Sequence, residues 1–375
     1  MKNKICIIAS SSHFLNNFLL DIIYKLSNEN IIYIISNFDN ANFKKINENI
    51  KIINLSLHRK PSFLKDLVHI FKLLKLIKSF NPDLIITATP KVIFFGFFIN
   101  FIFKHKIRIH IYTGIYWILF RGMKLKIYQK IDKIFFESCT QVFFDSKMQI
   151  KSLKNIGFNT NNFSVIANGS IKGVNLKKFS INETINLKLR NLYKIEKNSS
   201  IILYLGRIDT NKGILTLLHA FSNISKTNKN LYLFLVGIDE MNIQSIINKK
   251  YYKLRNYIKV TKSTMFPHNY LNMCDVVCLP SLREGFGNVV IEASACQKPV
   301  VGSDIDGLSE SLIDGLNGLK FTVNNPEDLS SKLNKIINDK NLSIKLGLNG
   351  RKFVEDNFES SKVLNNFYKQ ILYYI

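Results

Sequence analysis

The sequence predicts an α/β protein built from two doubly wound domains. Three observations carry this. Short apolar runs recur along the chain, stretches of helical period separate them, and the whole pattern begins again near residue 200. Near-continuous apolar strands joined by helices imply a parallel sheet covered on both faces. The chain has 375 residues, 46% of them hydrophobic, which is enough for two cores and argues against disorder.

The first half supplies strand-like runs at "KICIIAS" (4–10), "IIYIIS" (31–36), "IKIINL" (50–55), "LIITA" (84–88), "IRIHIY" (107–112), "QVFFD" (141–145) and "FSVIA" (163–167). Helical patterns lie between most of them, such as 13–27 and 63–80. The stretch 173–200 is polar and lacks strand character, so the domain junction is placed there. "SIILYLGRID" (200–209) then opens a second series, continued at 231–237, 257–260, 275–280 and 298–304. The expected organisation is a first domain over 1–180, a second over 195–355, and a final helix, 356–375, that crosses back to the first. Two such domains facing one another leave a cleft, and ligands in such sheets sit beyond the carboxyl ends of the strands.

The net charge of +25 points to nucleic acid, an anionic membrane face or phosphorylated ligands. No arginine-rich tract stands out and 27 acidic residues are interspersed, so no nucleic-acid module is recognisable. The five cysteines are scattered, and no second pair complements Cys274 and Cys278 at zinc-ligand spacing. They read as core thiols of a reducing compartment. The apolar run in "MKNKICIIASSSH" is too short for a signal peptide and reads as a first strand. "VIFFGFFINFIF" (92–103) is far shorter than the ~20 residues a spanning helix needs. A cytoplasmic protein is expected.

Two loops of the second half carry groups suited to a polyhydroxylated, phosphorylated ligand. In "GRIDTNKG", Arg207 follows the strand directly and Lys212 opens the helix. Arginine offers a planar fork and lysine a mobile point charge for a diphosphate, although both also suit solvated cations in a basic protein. In "SLREGFGNVVIEASACQKPV" (281–300), Gly285 and Gly287 allow close backbone approach, and a helix starting near Asn288 presents N–H groups to an anion. Glu284 and Glu292 only accept hydrogen bonds when ionised, which suits sugar hydroxyls. Glu292 also fits a simple dipole preference near a helix start, and Glu284 a solvated loop.

These motifs, with "CDVVCLPSLREGFGNVVIEASACQKPVVGSDIDGLSESLIDGLNG" after "GRIDTNKG", resemble the donor half of retaining glycosyltransferases of family 4, which have the two-domain GT-B fold. The resemblance extends through "TATPKVIFFG", "IYTGIYW", "VFFDSKMQ" and "VIANGSIKGVNLKKF" to the branch that builds capsular and O-antigen glycans on a lipid carrier. It implies that Arg207 and Lys212 hold the donor diphosphate and that Glu284, the catalytic candidate, binds the transferred sugar. It further implies that backbone amides around Phe286, Gly287, Asn288 and Val289 contact sugar and phosphate, and that Glu292 accepts from the ribose. By the same resemblance the anomeric configuration would be retained, no metal or other cofactor would be needed, and the cations and helix dipole would stabilise the leaving diphosphate. The expected donor is a UDP-linked N-acetylated hexosamine or deoxyhexosamine and the acceptor a lipid-linked saccharide.

Two departures from the family pattern stand out. A glycine-rich first loop is replaced by "ASSSHF" (9–14), and the loop "TGIYW" lacks the usual histidine. Thr113, Gly114 and His13 are therefore the acceptor-side candidates. The stretch 58–80 interleaves Arg59, Lys60, Lys65, Lys72, Lys75 and Lys78 with Phe63, Leu67, Phe71, Leu74 and Ile77. It suits either a core-packed helix or a surface on anionic lipid, and suggests peripheral attachment to the inner face of the membrane. Three other readings compete: a phosphorylase or hydrolase on the same fold, a non-catalytic nucleotide-sugar-binding partner, and a basic nucleic-acid binder.

Overall fold

The computed structural model describes residues 2–38, 47–55, 57, 63–104 and 106–375. It consists of two compact units, Met1–Lys172 together with Ser361–Ile375, and Gly173–Ser360. The first unit has seven parallel strands, β1 (Lys4–Ala9), β2 (Ile31–Ser36), β3 (Ile50–Asn54), β4 (Leu84–Ala88), β5 (Ile107–Tyr112), β6 (Gln141–Phe144) and β7 (Phe163–Val165), in the order β3-β2-β1-β4-β5-β6-β7. Ile5 pairs with Ile32 on one side and Leu84 on the other, and every residue of β4 is buried. That explains why these runs carry no polar alternation.

Its helices are α1 (Ser12–Phe14), α2 (Leu20–Ser27), α3 (Phe63–Phe80), α4 (Pro90–Ile102), α5 (Gly122–Ser138) and α6 (Lys147–Asn155). The helix expected over 13–27 is interrupted by a π segment, Leu15–Leu19. A π turn holds one extra residue and rotates the helix beyond it. Leu15, Leu19, Ile22, Ile23 and Leu26 all reach the core this way.

The second unit has six parallel strands, β8 (Ser200–Leu205), β9 (Leu231–Val236), β10 (Ile258–Thr261), β11 (Val276–Leu279), β12 (Val300–Ser303) and β13 (Gly318–Phe321), in the order β10-β9-β8-β11-β12-β13. β13 was not expected from the sequence; four residues opening on a glycine carry too little apolar signal. Its helices are α7 (Glu183–Leu192), α8 (Ile214–Ile224), α9 (Ile243–Lys250), α10 (Pro267–Met273), α11 (Asn288–Ala295), α12 (Pro326–Asn338) and α13 (Lys340–Asn357). α7 lies within the polar stretch 173–200, where Asn182 caps it by accepting from the Ile185 N–H at 3.0 Å. The closing helix, α14 (Ser360–Leu372), places Phe367 and Ile371 in a core with Ile7, Ile111 and Phe143 of the first unit.

Each sheet reverses its strand order once, between β1 and β4 and between β8 and β11. The loops leaving those strands flank the crevice where open α/β sheets take ligands. No helix among the described residues is long and apolar enough to cross a membrane. All five cysteines are buried and free, and burial pushes Cys6, Cys139, Cys274 and Cys296 up to about 12.

Candidate active site

At the switch point of the second unit, the loop leaving β8 and the loop leaving β11 are locked together by backbone. The Leu282 N–H donates to the Asn211 carbonyl at 2.8 Å. Gly213 sits at φ +65°, and a Cβ there would lie 1.9 Å from the Pro280 carbonyl oxygen. Only glycine satisfies both the left-handed backbone and that approach. Asp209 shapes the same turn, its Oδ1 accepting from the Asn211 N–H at 2.8 Å. Gly213→Ala is therefore expected to cost more than about 1 kcal/mol of stability and to weaken donor binding. Thermal unfolding and nucleotide titration check this; a variant as stable as the parent contradicts the packing.

That clasp brings together two side chains 72 residues apart. Lys212 Nζ lies 2.5 Å from Glu284 Oε1, with the two side chains 21% and 13% exposed. Ser281, wholly buried, donates its hydroxyl to the same oxygen at 2.6 Å. Glu284 is also fixed from below: a Cβ on Gly307 would come within 2.0 Å of the Glu284 carbonyl oxygen. Arg207, at the start of the same β8 loop, lies 3.3 Å from Asp209 and 3.4 Å from Glu240. Its carbonyl accepts from the Tyr204 hydroxyl at 2.5 Å. Burial, and after it the charges of Glu284 and Asp209, push the Tyr204 hydroxyl well above the usual phenol range, so it remains a donor.

Past Glu284 the chain turns into α11. Gly287 at φ +77° precedes the helix, and the Val290 N–H donates to its carbonyl at 2.8 Å. Phe286 is 2% exposed, packed on Phe358 with ring centroids 5.2 Å apart, and its carbonyl accepts from the Ser311 hydroxyl at 2.5 Å. Its ring belongs to the core, leaving backbone as the only part of Phe286 that can meet a ligand. Asn288 and Val289 are half-buried in the first turn, and Glu292 is buried one turn further on. Thus Lys212 and Glu284 are in direct contact, whereas Arg207 is engaged by two other carboxylates.

In the first unit, the corresponding switch point holds Ser10 and Thr89. The Ser10 N–H and hydroxyl lie 3.2 and 2.8 Å from Thr89 Oγ1. Thr89 has φ +78°, which a β-branched residue rarely adopts, and such strain clusters at ligand sites. His13 is exposed on α1, while Thr113 is half-buried and Gly114 buried in the loop after β5.

That loop is anchored to a buried carboxylate that the sequence did not reveal. Asp132 of α5 accepts from the Trp117 indole at 2.7 Å and from the hydroxyls of Tyr112 and Tyr116 at 2.9 Å each. Burial pushes Asp132 up to about 6, against the lowering effect of the three donors. A carboxyl raised on folding stabilises the protein below its ordinary value near 4, and that contribution is lost as pH rises through about 6. Between pH 4 and 7 the parent should therefore lose on the order of 2 kcal/mol relative to Asp132→Asn. Denaturant midpoints across that range test it, and parallel profiles contradict it.

Ser281, Gly307, Thr89 and Asp132 were missed in the sequence. Ser281 lies three residues before Glu284 and is the one whose spacing offered a signal. The others depend on contacts between distant segments.

The model of the family described as "Glycosyl transferases group 1" matches residues 187–353. Among curated relatives, the chain is 29% identical over 333 residues to the capsular polysaccharide biosynthesis glycosyltransferase CapM of Staphylococcus aureus, covering 88% of this chain and 86% of that one. It is 27% identical over 292 residues to the N,N'-diacetylbacillosaminyl-diphospho-undecaprenol alpha-1,3-N-acetylgalactosaminyltransferase of Campylobacter jejuni, covering 76% and 75%. Among solved structures, Anabaena HepE in complex with UDP superposes with a TM-score of 0.80 at 19% identity, covering 100% of both chains.

Proposed function

We propose that the chain, which has the GT-B fold and matches the group 1 glycosyltransferase model over residues 187–353, moves a sugar, with retention, from a nucleotide donor onto a lipid-linked saccharide in surface-polysaccharide synthesis. The observation that carries the reading is the Lys212–Glu284 contact at the β8/β11 switch point, which sets a cation and an acceptor-only carboxylate side by side. A sugar diphosphate needs both. The CapM and Campylobacter relatives support the glycan class, the latter by its diphospho-undecaprenol acceptor, and HepE, crystallised with UDP, supports a uridine donor. The donor in this reading is a UDP-linked N-acetylated hexosamine or deoxyhexosamine.

In this account Lys212 and Arg207 hold the diphosphate, and the first turn of α11 adds backbone N–H groups and its dipole. Glu284 accepts from hydroxyls of the transferred sugar, and Glu292 from the ribose. As the glycosidic bond breaks, negative charge grows on the diphosphate, and these fixed cations and dipoles stabilise it without reorganising. The acceptor hydroxyl attacks from the leaving-group face and gives its proton to a phosphate oxygen, so no separate base and no metal is required. His13, Thr113 and Gly114 are the acceptor-side candidates, and the protein works in the cytoplasm, attached to the inner membrane surface.

Nucleoside diphosphate release across a panel of sugar nucleotides tests this. Release that depends on membranes containing lipid-linked acceptor supports transfer. Release into water alone marks a hydrolase, and release that needs inorganic phosphate marks a phosphorylase.

A further inference from the structure

We propose that the outer surface of α3, α4 and α5 is a docking face for an anionic phospholipid bilayer, with phenylalanines of α4 entering the lipid and Lys75 and Lys78 taking headgroup phosphate. This deepens the peripheral attachment proposed above and rests on it for the biological setting.

α4 is apolar on both sides. Val92, Phe95 and Ile99 face the core, yet Phe94, Phe97 and Phe101 are 44%, 41% and 78% exposed. Positions 94, 97 and 101 follow helical spacing and form one outward stripe. A helix apolar all round belongs in a core or against another apolar phase. The neighbours extend the stripe. On α5, which Asn100 joins through its amide to the Ser138 hydroxyl at 2.9 Å, Met123, Ile127 and Ile134 are exposed. On α3 the apolar positions that interleave with its lysines divide: Ile77 is buried and Leu74 half-buried, while Leu67 and Phe71 point outward. Ile70 and Leu73 take the core positions instead. Arg59 and Lys60 lie outside the described residues, as do the side chains of Phe63 and Lys65.

Between α3 and α4 runs a groove of about 490 Å³ lined by Leu74, Lys75, Lys78, Asn81, Ile102 and Phe103. Its apolar floor and two ammonium groups match the chemistry of a lipid just below its phosphate. The surrounding charge is one-sided. Residues 67–138 contain ten lysines and two arginines against Asp83, Asp132 and Glu137. Asp132 is buried among its three donors, and Asp83 accepts from the Lys4 N–H. Lysines around exposed aromatics fit an interface of acyl chains and anionic headgroups. A second copy fits poorly, because it would bring the same cationic border against itself in a chain of net charge +25.

Co-sedimentation of the full chain with vesicles tests the face. Binding is expected to vesicles containing phosphatidylglycerol at about 0.1 M salt, weakening about tenfold or more on pure phosphatidylcholine or at high salt. Phe97→Ser with Phe101→Ser, and separately Lys75→Glu with Lys78→Glu, should each lower that binding by about tenfold while thermal unfolding stays unchanged. Wild-type protein that ignores phosphatidylglycerol, or variants that bind as it does, overturns the proposal. So does a stable dimer in light scattering that the phenylalanine variant breaks. Transfer to a detergent-dispersed acceptor, measured on the same proteins, separates the two readings: transfer without vesicle binding overturns the docking face alone, and binding by the predicted face without transfer upholds it while overturning the proposed reaction.

Discussion

Glu284→Gln is expected to lower sugar transfer by about 100- to 1,000-fold while leaving fold and nucleotide affinity nearly unchanged. The amide is close to the carboxylate in shape and keeps an oxygen for the Ser281 hydroxyl and the Lys212 ammonium, which lie 2.6 and 2.5 Å from Glu284 Oε1. The β8 and β11 loops therefore stay docked. What disappears is the charge, and with it the carboxylate that the proposed reaction sets against sugar hydroxyls as positive character grows at the anomeric carbon. Glu284→Ala should abolish transfer as well, but it also strips Lys212 and Ser281 of an acceptor, so glutamine is the cleaner probe. Turnover near the parent level in the glutamine variant, with folding verified by thermal unfolding, would mean that Glu284 has been given the wrong role.

Lys212→Ala is expected to weaken nucleoside diphosphate binding by about 10- to 100-fold, the worth of one charge-assisted hydrogen bond in a partly shielded site. The loss should appear mainly in KM if the ammonium holds ground state and transition state alike, and in kcat if it acts on charge formed during bond breaking. Because Lys212 and Glu284 touch, their effects should not add. A double variant of Lys212→Ala with Glu284→Gln is expected to depart from additivity by more than about 0.5 kcal/mol in transition-state free energy. Calorimetric titration and steady-state kinetics supply both readings; additive effects within error would show that the pair does not work as a unit. Lys212→Arg should not restore the parent, since a planar fork presents its donors differently from a point charge.

The sheets were legible in the sequence because their central strands are buried on both faces. "IIYIIS" and "LIITA" have no solvent side to interrupt the apolar run. β13 escaped because "GLKF" is four residues long and half of its signal is a glycine and a lysine. The π segment at Leu15–Leu19 escaped because a one-residue shift of phase barely alters an apolar pattern with several leucines and isoleucines in it. In the second unit, the order of "GRIDTNKG" and "SLREGFGNVVIEASACQKPV" was enough to single out Lys212 and Glu284, yet nothing in either stretch encodes their contact. The contact depends on Gly213 meeting the Pro280 carbonyl and on strand order placing β8 beside β11. Asp132 was illegible for the same reason. Its donors lie 15 to 20 residues upstream, at the end of β5 and in the loop after it, and an isolated aspartate within a helix full of lysines reads as a surface residue. Arg207 shows the converse limit: the loop motif marked it, but the two carboxylates beside it, Asp209 and Glu240, come from the turn and from the loop after β9.

The most direct measurement is the mass of a lipid-linked saccharide after incubation with the protein and a panel of sugar nucleotides, run in parallel with Glu284→Gln. The account predicts that a UDP-sugar raises the acceptor by the mass of one sugar residue with the parent protein, releasing UDP in equal amount, and that the glutamine variant gives almost none. Sugar nucleotide consumed with no gain of mass on any acceptor, or equal product from both proteins, would contradict it.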